Sequence, residues 1–134
     1  MSKSSELREL AEQWLEFARV DLEAAAACLA RESVHGWAIA FHCQQSIEKA
    51  LKGALVLNGV EPPRTHQLSR LYDALAQLDH TPPLPCDVLD ALTPFAIDDK
   101  YPRLRVTPID RLDAATFLPV SEAAVAWLAG ELNS

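Results

Sequence analysis

The sequence predicts an all-α fold: an up-and-down bundle of about five helices, with an antiparallel hairpin of two long helices, the first and second, at its centre. Three observations carry that expectation. Apolar residues recur at intervals of three and four over long stretches, which places them on one side of a helix. Clustered prolines and the Asn58-Gly59 pair fall between those stretches, where chain breaks belong. No stretch of useful length alternates apolar and polar residues as a half-buried strand would. The chain has 134 residues, 49% of them hydrophobic. That is enough for one domain, residues 1–134, to bury a core without disulfides.

The first helix is expected over Leu7–Ala30, with Ser4 or Ser5 as its N-cap and Glu6 and Glu9 near the positive end of its dipole. Leu7, Leu10, Ala11, Trp14, Phe17, Ala18, Ala25, Cys28 and Leu29 track its inward side. A short turn at Arg31–Gly36 leads to the second helix, Trp37–Leu57, and so short a link makes the two antiparallel. Ile39, Cys43, Ile47, Ala50, Leu51, Ala54 and Leu57 share one apolar arc of it. Asn58-Gly59 ends this helix, because glycine takes the left-handed conformation that follows many C-termini. A third helix is expected over Gln67–Leu78, with Thr65 as its cap and Leu68, Leu71, Tyr72, Leu75 and Leu78 turned inward. Three prolines make Asp79–Pro85 a loop. A fourth helix runs from about Pro85 to Ile97, burying Val88, Leu89, Leu92 and Phe95, with Pro94 kinking or dividing it. The last spans Asp110–Leu132, with Phe117, Val120, Ala124, Trp127 and Leu128 inward and Pro119 bending it or marking a late start. The Trp and Phe residues at helical spacing are assigned to the core.

Composition narrows the function classes. A net charge of −7 argues against indiscriminate binding to nucleic-acid backbones, where a basic surface supplies most of the affinity. No apolar run approaches the length of a membrane span, and the start of the chain does not have the shape of a signal peptide. Cys28, Cys43 and Cys86 are odd in number and widely spaced, which fits reduced, buried thiols in a cytoplasmic protein. No pair of His, Asp or Glu residues has convincing ligand spacing, so neither a metal nor a cofactor is expected.

The polar residues of the second helix are more informative. His42, Gln45, Glu48, Lys49 and Lys52 gather opposite the apolar arc, with Phe41 at the edge. They bring an imidazole, an amide, a carboxylate and two amines to one face. Asp21 falls within the apolar arc of the first helix, and a buried carboxylate there needs a basic side chain or a backbone amide. Arg64 and His66 follow in a proline-stiffened loop, and Tyr101, Arg103 and Arg105 lie in the one basic segment of the chain. If those loops fold over one end of the second helix, Lys49, Lys52, Arg64, Arg103 and Arg105 suit a phosphate or nucleotide, with arginine forks giving bidentate hydrogen bonds. Gln45 and Tyr101 would then meet a base. Against this, Lys49 and Lys52 can equally be solvated helix-face charges beside Glu48. His66 serves as well as a hydrogen-bonder at the start of the third helix, and His42 as a structural group or dimer contact.

The order WLEFARVDLEAA, a short turn, AIAFHCQQSIEKALKGALVLNG, EPPRTHQLSRL and a Tyr-Pro segment before the last helix resembles the HEPN domain family along nearly the whole chain. The resemblance implies a small helical bundle, often a homodimer, often working with a minimal nucleotidyltransferase. It further implies nucleotide or RNA as ligand, and in many members a metal-independent endoribonuclease of the toxin–antitoxin kind. Those ribonucleases carry an Arg followed closely by a His in a late helix, where the imidazole moves protons and the guanidinium stabilises the phosphate. Here the histidines are His35, His42, His66 and His80, and none follows Arg103 and Arg105. His66 is the sole catalytic candidate that remains. The expectation is therefore a binding module, with the ribonuclease as the alternative.

Overall fold

The computed structural model of the protein describes residues 2–96 and 107–134. Helix α1, Lys3–Ala30, is capped by Ser2, whose hydroxyl accepts from the Ser5 backbone N–H, one turn earlier than expected. Five residues later α2 runs over Gly36–Leu57. The two pair in opposite directions: Ser46 of α2 donates to the Ala18 carbonyl at 2.9 Å, while further along, Gly53 meets Ala11 and Trp14. A Cβ at Gly53 would sit 2.9 Å from that of Trp14 and 2.7 Å from Leu128 Cδ2, so glycine lets three helices meet there.

The end of α2 is closed by a Schellman arrangement. Gly59, at φ +76°, donates to Val56, and Val60 donates back to Leu55, both at 2.9 Å. Then come α3, Leu68–Gln77, and α4, Cys86–Leu92, which tightens at Pro94 into a single 3-10 turn, Thr93–Phe95. Thr65 does not cap α3 directly; its hydroxyl accepts from the Gln67 N–H just ahead of the helix. The last expected helix is two pieces, α5 over Arg111–Ala115 and α6 over Leu118–Leu132, with Pro119 in the first turn of α6.

The core is built on α2, which packs against every other helix. Ile39, Ile47, Leu51 and Leu55 are fully buried there against Leu71, Leu75, Leu89 and Leu128. Arg111–Leu132 is long and apolar enough to cross a membrane by length and composition, contrary to expectation, but one side of it is buried against α1 and α2.

Some inward assignments fail on α1. Its buried line is Ala11, Leu15, Ala18, Asp21 and Ala25. Leu10 and Phe17 belong to the edge of the apolar arc and stay 47% and 57% exposed, so Phe17 is not a core residue. The arc is wider than the strip α2 covers, and its outer edge is left on the surface. Leu78 also stays exposed, as the C-cap residue of α3. Cys43 is buried, but Cys86 is exposed on the first turn of α4, so not every thiol is hidden.

Candidate functional site

Along α2, His42, Gln45, Lys49 and Lys52 follow one another at spacings of three, four and three, so they form a single stripe. Helix α1 approaches that stripe from one side and the loop ahead of α3 from the other. Each approach brings the stripe to a carboxylate.

The first carboxylate is Asp21 of α1, which is 8% exposed. Its Oδ1 accepts from His42 Nδ1 at 3.0 Å, and its Oδ2 is paired with Lys49 Nζ. Burial alone would raise its pKa. The hydrogen bonds from His42 and Lys49 and their charges outweigh burial and hold this carboxyl below the usual range. The Lys49 ammonium also lies 6.0 Å from the centre of the Phe17 ring, within cation–π range.

The second carboxylate is Glu48, on α2 itself and 5% exposed. Its Oε1 accepts from Gln44 Nε2 at 3.1 Å and from His66 Nδ1 at 3.0 Å. Lys52 Nζ lies 3.1 Å from its Oε2. Gln44 is fully buried and donates as well to the His66 carbonyl at 3.0 Å, so one amide fastens the loop to the helix by its backbone. Gln45 donates to Gln44 Oε1 at 2.6 Å. Among the described residues every buried side-chain nitrogen and oxygen has a partner.

The structure thus brings Asp21, His42, Gln45, Glu48, Lys49, Lys52 and His66 onto one continuous face. Asp21 has the basic partner its position demanded. Lys49 is held across the hairpin against Asp21, while Lys52 makes the local pair with Glu48 one turn earlier, its side chain only 14% exposed. Arg64 is exposed on the loop two residues before His66. Tyr101, Arg103 and Arg105 lie outside the described residues.

Two contributors escape sequence reasoning. Gln44 is signalled only by the adjacency of two glutamines mid-helix, which forces them to point in different directions. Arg111 has no local signal at all. From α5 its guanidinium donates to the carbonyls of Cys28 at 3.3 Å, Leu29 at 2.7 Å and Val34 at 2.5 Å. It thereby closes the open carbonyls at the end of α1 and pins the hairpin corner.

Two concave regions lie beside these groups. A wide groove of about 670 Å³ at the hairpin corner is lined by His35, Trp37, Ile109, Asp110 and Asp113. Asp110 is already engaged there, accepting the Asp113 N–H at 2.8 Å as the N-cap of α5. A smaller apolar depression of about 250 Å³ lies on α1 between Leu10, Gln13, Trp14 and Phe17. Thiol chemistry has no place on the α2 face, because burial pushes the Cys43 thiol up to about 11.

Comparison with known proteins agrees with this architecture. A family model described as the HEPN domain matches residues 11–132. The crystal structure of a Thermus thermophilus protein is similar at 30% identity and a TM-score of 0.65, covering 90% of this chain and 96% of that one. An archaeal HEPN homologue is similar at 25% identity and a TM-score of 0.62, over 91% of this chain and 97% of that one. No curated protein matches the chain significantly.

Proposed function

The chain belongs to the HEPN domain family, and on that premise we propose that it is a non-enzymatic binding module: a homodimer paired through the apolar edge of α1. Its α2 face then receives a minimal nucleotidyltransferase partner, a nucleotide, or both. The observation that carries the reading is the juxtaposition on one side of the bundle. Leu10, Phe17 and Val20 stand 47%, 57% and 55% exposed on α1, directly beside a polar stripe whose charges are already balanced. Apolar side chains in a row around a shallow depression mark a protein contact more than a nucleic-acid backbone contact. Free thiols in α1 and α2 fit work in the cytoplasm.

The ribonuclease alternative has less behind it. No histidine follows His80, so α5 and α6 supply no imidazole of the kind the family's ribonucleases carry in a late helix.

Sedimentation equilibrium tests the reading. The wild-type chain is expected to be a dimer that Phe17→Glu converts to a folded monomer, and a wild type that stays monomeric at every concentration overturns the paired module. Retention of a minimal nucleotidyltransferase by immobilised wild-type chain, and its loss in Arg64→Glu, tests the α2 face separately.

A further inference from the structure

Besides the line it buries, α1 carries a second row of uncharged side chains. Leu10, Gln13, Phe17, Val20, Ala24 and Ala27 follow one another at spacings of three and four, the seven-residue rhythm of a seam between two helices. Ala24 is half-buried and the other five are exposed, so among the described residues nothing covers the row.

Its two flanks differ. On one side stand Glu9, Glu16 and Glu23, seven residues apart and all exposed. On the other stand Trp14, Asp21 and Cys28, at the same spacing. Asp21 brings the His42 imidazole and the Lys49 ammonium with it, two bases sharing one carboxylate. Arg8 and Arg19 are further round the helix, beside Ala129 and Leu132 of α6, and do not offset the glutamates along the row.

This asymmetry decides how a second copy can lie on the row. Two identical helices paired antiparallel set each flank against its own kind, so the glutamates of both chains meet. Paired in parallel about a two-fold axis along their length, they set each flank against the other kind. Glu16 then comes beside Asp21 of the second copy, within reach of His42 and Lys49. Gln13 points the same way. In parallel its amide meets the same amide across the axis and can both donate and accept, whereas an antiparallel pair centred on the row sets it against Ala24. Antiparallel pairing would match large residues to small more evenly, Leu10 to Ala27 and Phe17 to Val20. A parallel pair absorbs that difference by drawing together at its alanine end.

We propose that this row is covered by α1 of a second copy lying parallel to it, with Glu16 of each chain completing the Asp21 cluster of the other. The proposal rests on the reading that the chain pairs through the apolar edge of α1. It adds the orientation, the register and a residue that each copy lends to the other's α2 face. The two α2 faces then point to opposite sides of the dimer. His42 and Lys49 belong to the contact, while Gln45, Lys52 and His66 stay open to a ligand.

Disulfide trapping in the full chain tests the orientation. Cys28→Ser and Cys86→Ser remove the thiols that are not fully buried, and Cys43 stays inside. Gln13→Cys and Ala24→Cys are then made singly, about 16 Å apart along the helix. In the parallel pair each variant is expected to link to its own copy under mild oxidation. An antiparallel pair can bring at most one of the two positions against itself. Self-linking at only one position, or links only in a mixture of the two variants, overturns the parallel arrangement and leaves the dimer standing. A dimer by sedimentation that links in no combination moves the contact off α1 and removes both readings. A wild type that stays monomeric removes the underlying one. The double variant Glu16→Gln, Glu23→Gln makes the same decision without a new thiol. It should weaken the dimer about threefold, since exposed pairs are worth little each. Unchanged or tighter association contradicts the proposal.

Discussion

The Asp21 and Glu48 clusters use the same three groups, a carboxylate, an imidazole through Nδ1 and a lysine, yet they join different parts of the molecule. Asp21 on α1 takes both of its partners from α2. It lies in the most extensive helix–helix interface of the fold, near the Ser46 to Ala18 bond. Glu48 takes its lysine from the next turn of its own helix, and its imidazole from the loop ahead of α3. The first cluster is a cross-tie between helices and the second is an anchor for a loop. The same chemistry thus sets packing in one place and the position of a proposed ligand-contacting segment in the other.

Removing each carboxylate separates the two roles. Glu48 is the more deeply buried, and Lys52 beside it is 14% exposed against 26% for Lys49. Glu48→Ala strands a lysine and a fully buried glutamine, and is expected to cost about 3 kcal/mol of unfolding free energy by denaturant titration. Its hydrogen exchange should rise first in residues 64–68. Asp21→Ala strands two partly exposed bases and is expected to cost less, about 2 kcal/mol, with exchange rising along both α1 and α2. If the two variants give the same exchange pattern, the distinction between cross-tie and anchor fails.

Acid sharpens the contrast for Asp21. Its carboxyl titrates below its ordinary value in the folded chain. The stabilisation it supplies is therefore complete above the unfolded value of about 3.9 and disappears as pH falls through the lower folded value. The stability gap between wild type and Asp21→Ala should shrink as pH falls below about 4.

Smaller effects lie at the hairpin corner and on the exposed edge of α1. Arg111→Met removes a charged donor from three carbonyls and is expected to cost about 1.5 kcal/mol. At the opposite end of the scale, Phe17→Glu should change monomer stability by less than about 0.5 kcal/mol, since the ring is mostly exposed. Its effect belongs in the sedimentation profile.

Helix positions were legible in the sequence because apolar spacing and breaker residues report on local backbone directly. Asn58-Gly59, Pro94 and Pro119 each mark a real boundary. Asp21 was legible for a related reason, since a carboxylate inside an apolar arc must find a base. The lysines were not. A helical wheel of α2 alone sets Lys49 and Lys52 opposite the apolar arc, and nothing local shows that Asp21, 28 residues away, will be brought to Lys49. Nor does a wheel show that Lys52 will share Glu48 with His66, 18 residues further along the chain than that carboxylate. Phe17 misleads in the opposite direction, because an apolar arc does not say how much of itself a partner covers. Arg111 reaches carbonyls 77 to 83 residues away, and no spacing rule covers that distance.

The cross-tie is tested most directly by a double-mutant cycle on Asp21 and Lys49, using Asp21→Asn, Lys49→Met and the double variant. With the pair formed as described, Lys49→Met should destabilise the wild type and have little effect in the Asp21→Asn background, giving a coupling of about 1–2 kcal/mol. Additivity within about 0.3 kcal/mol would mean that Lys49 is a free surface charge after all, and the balanced polar face would have to be abandoned.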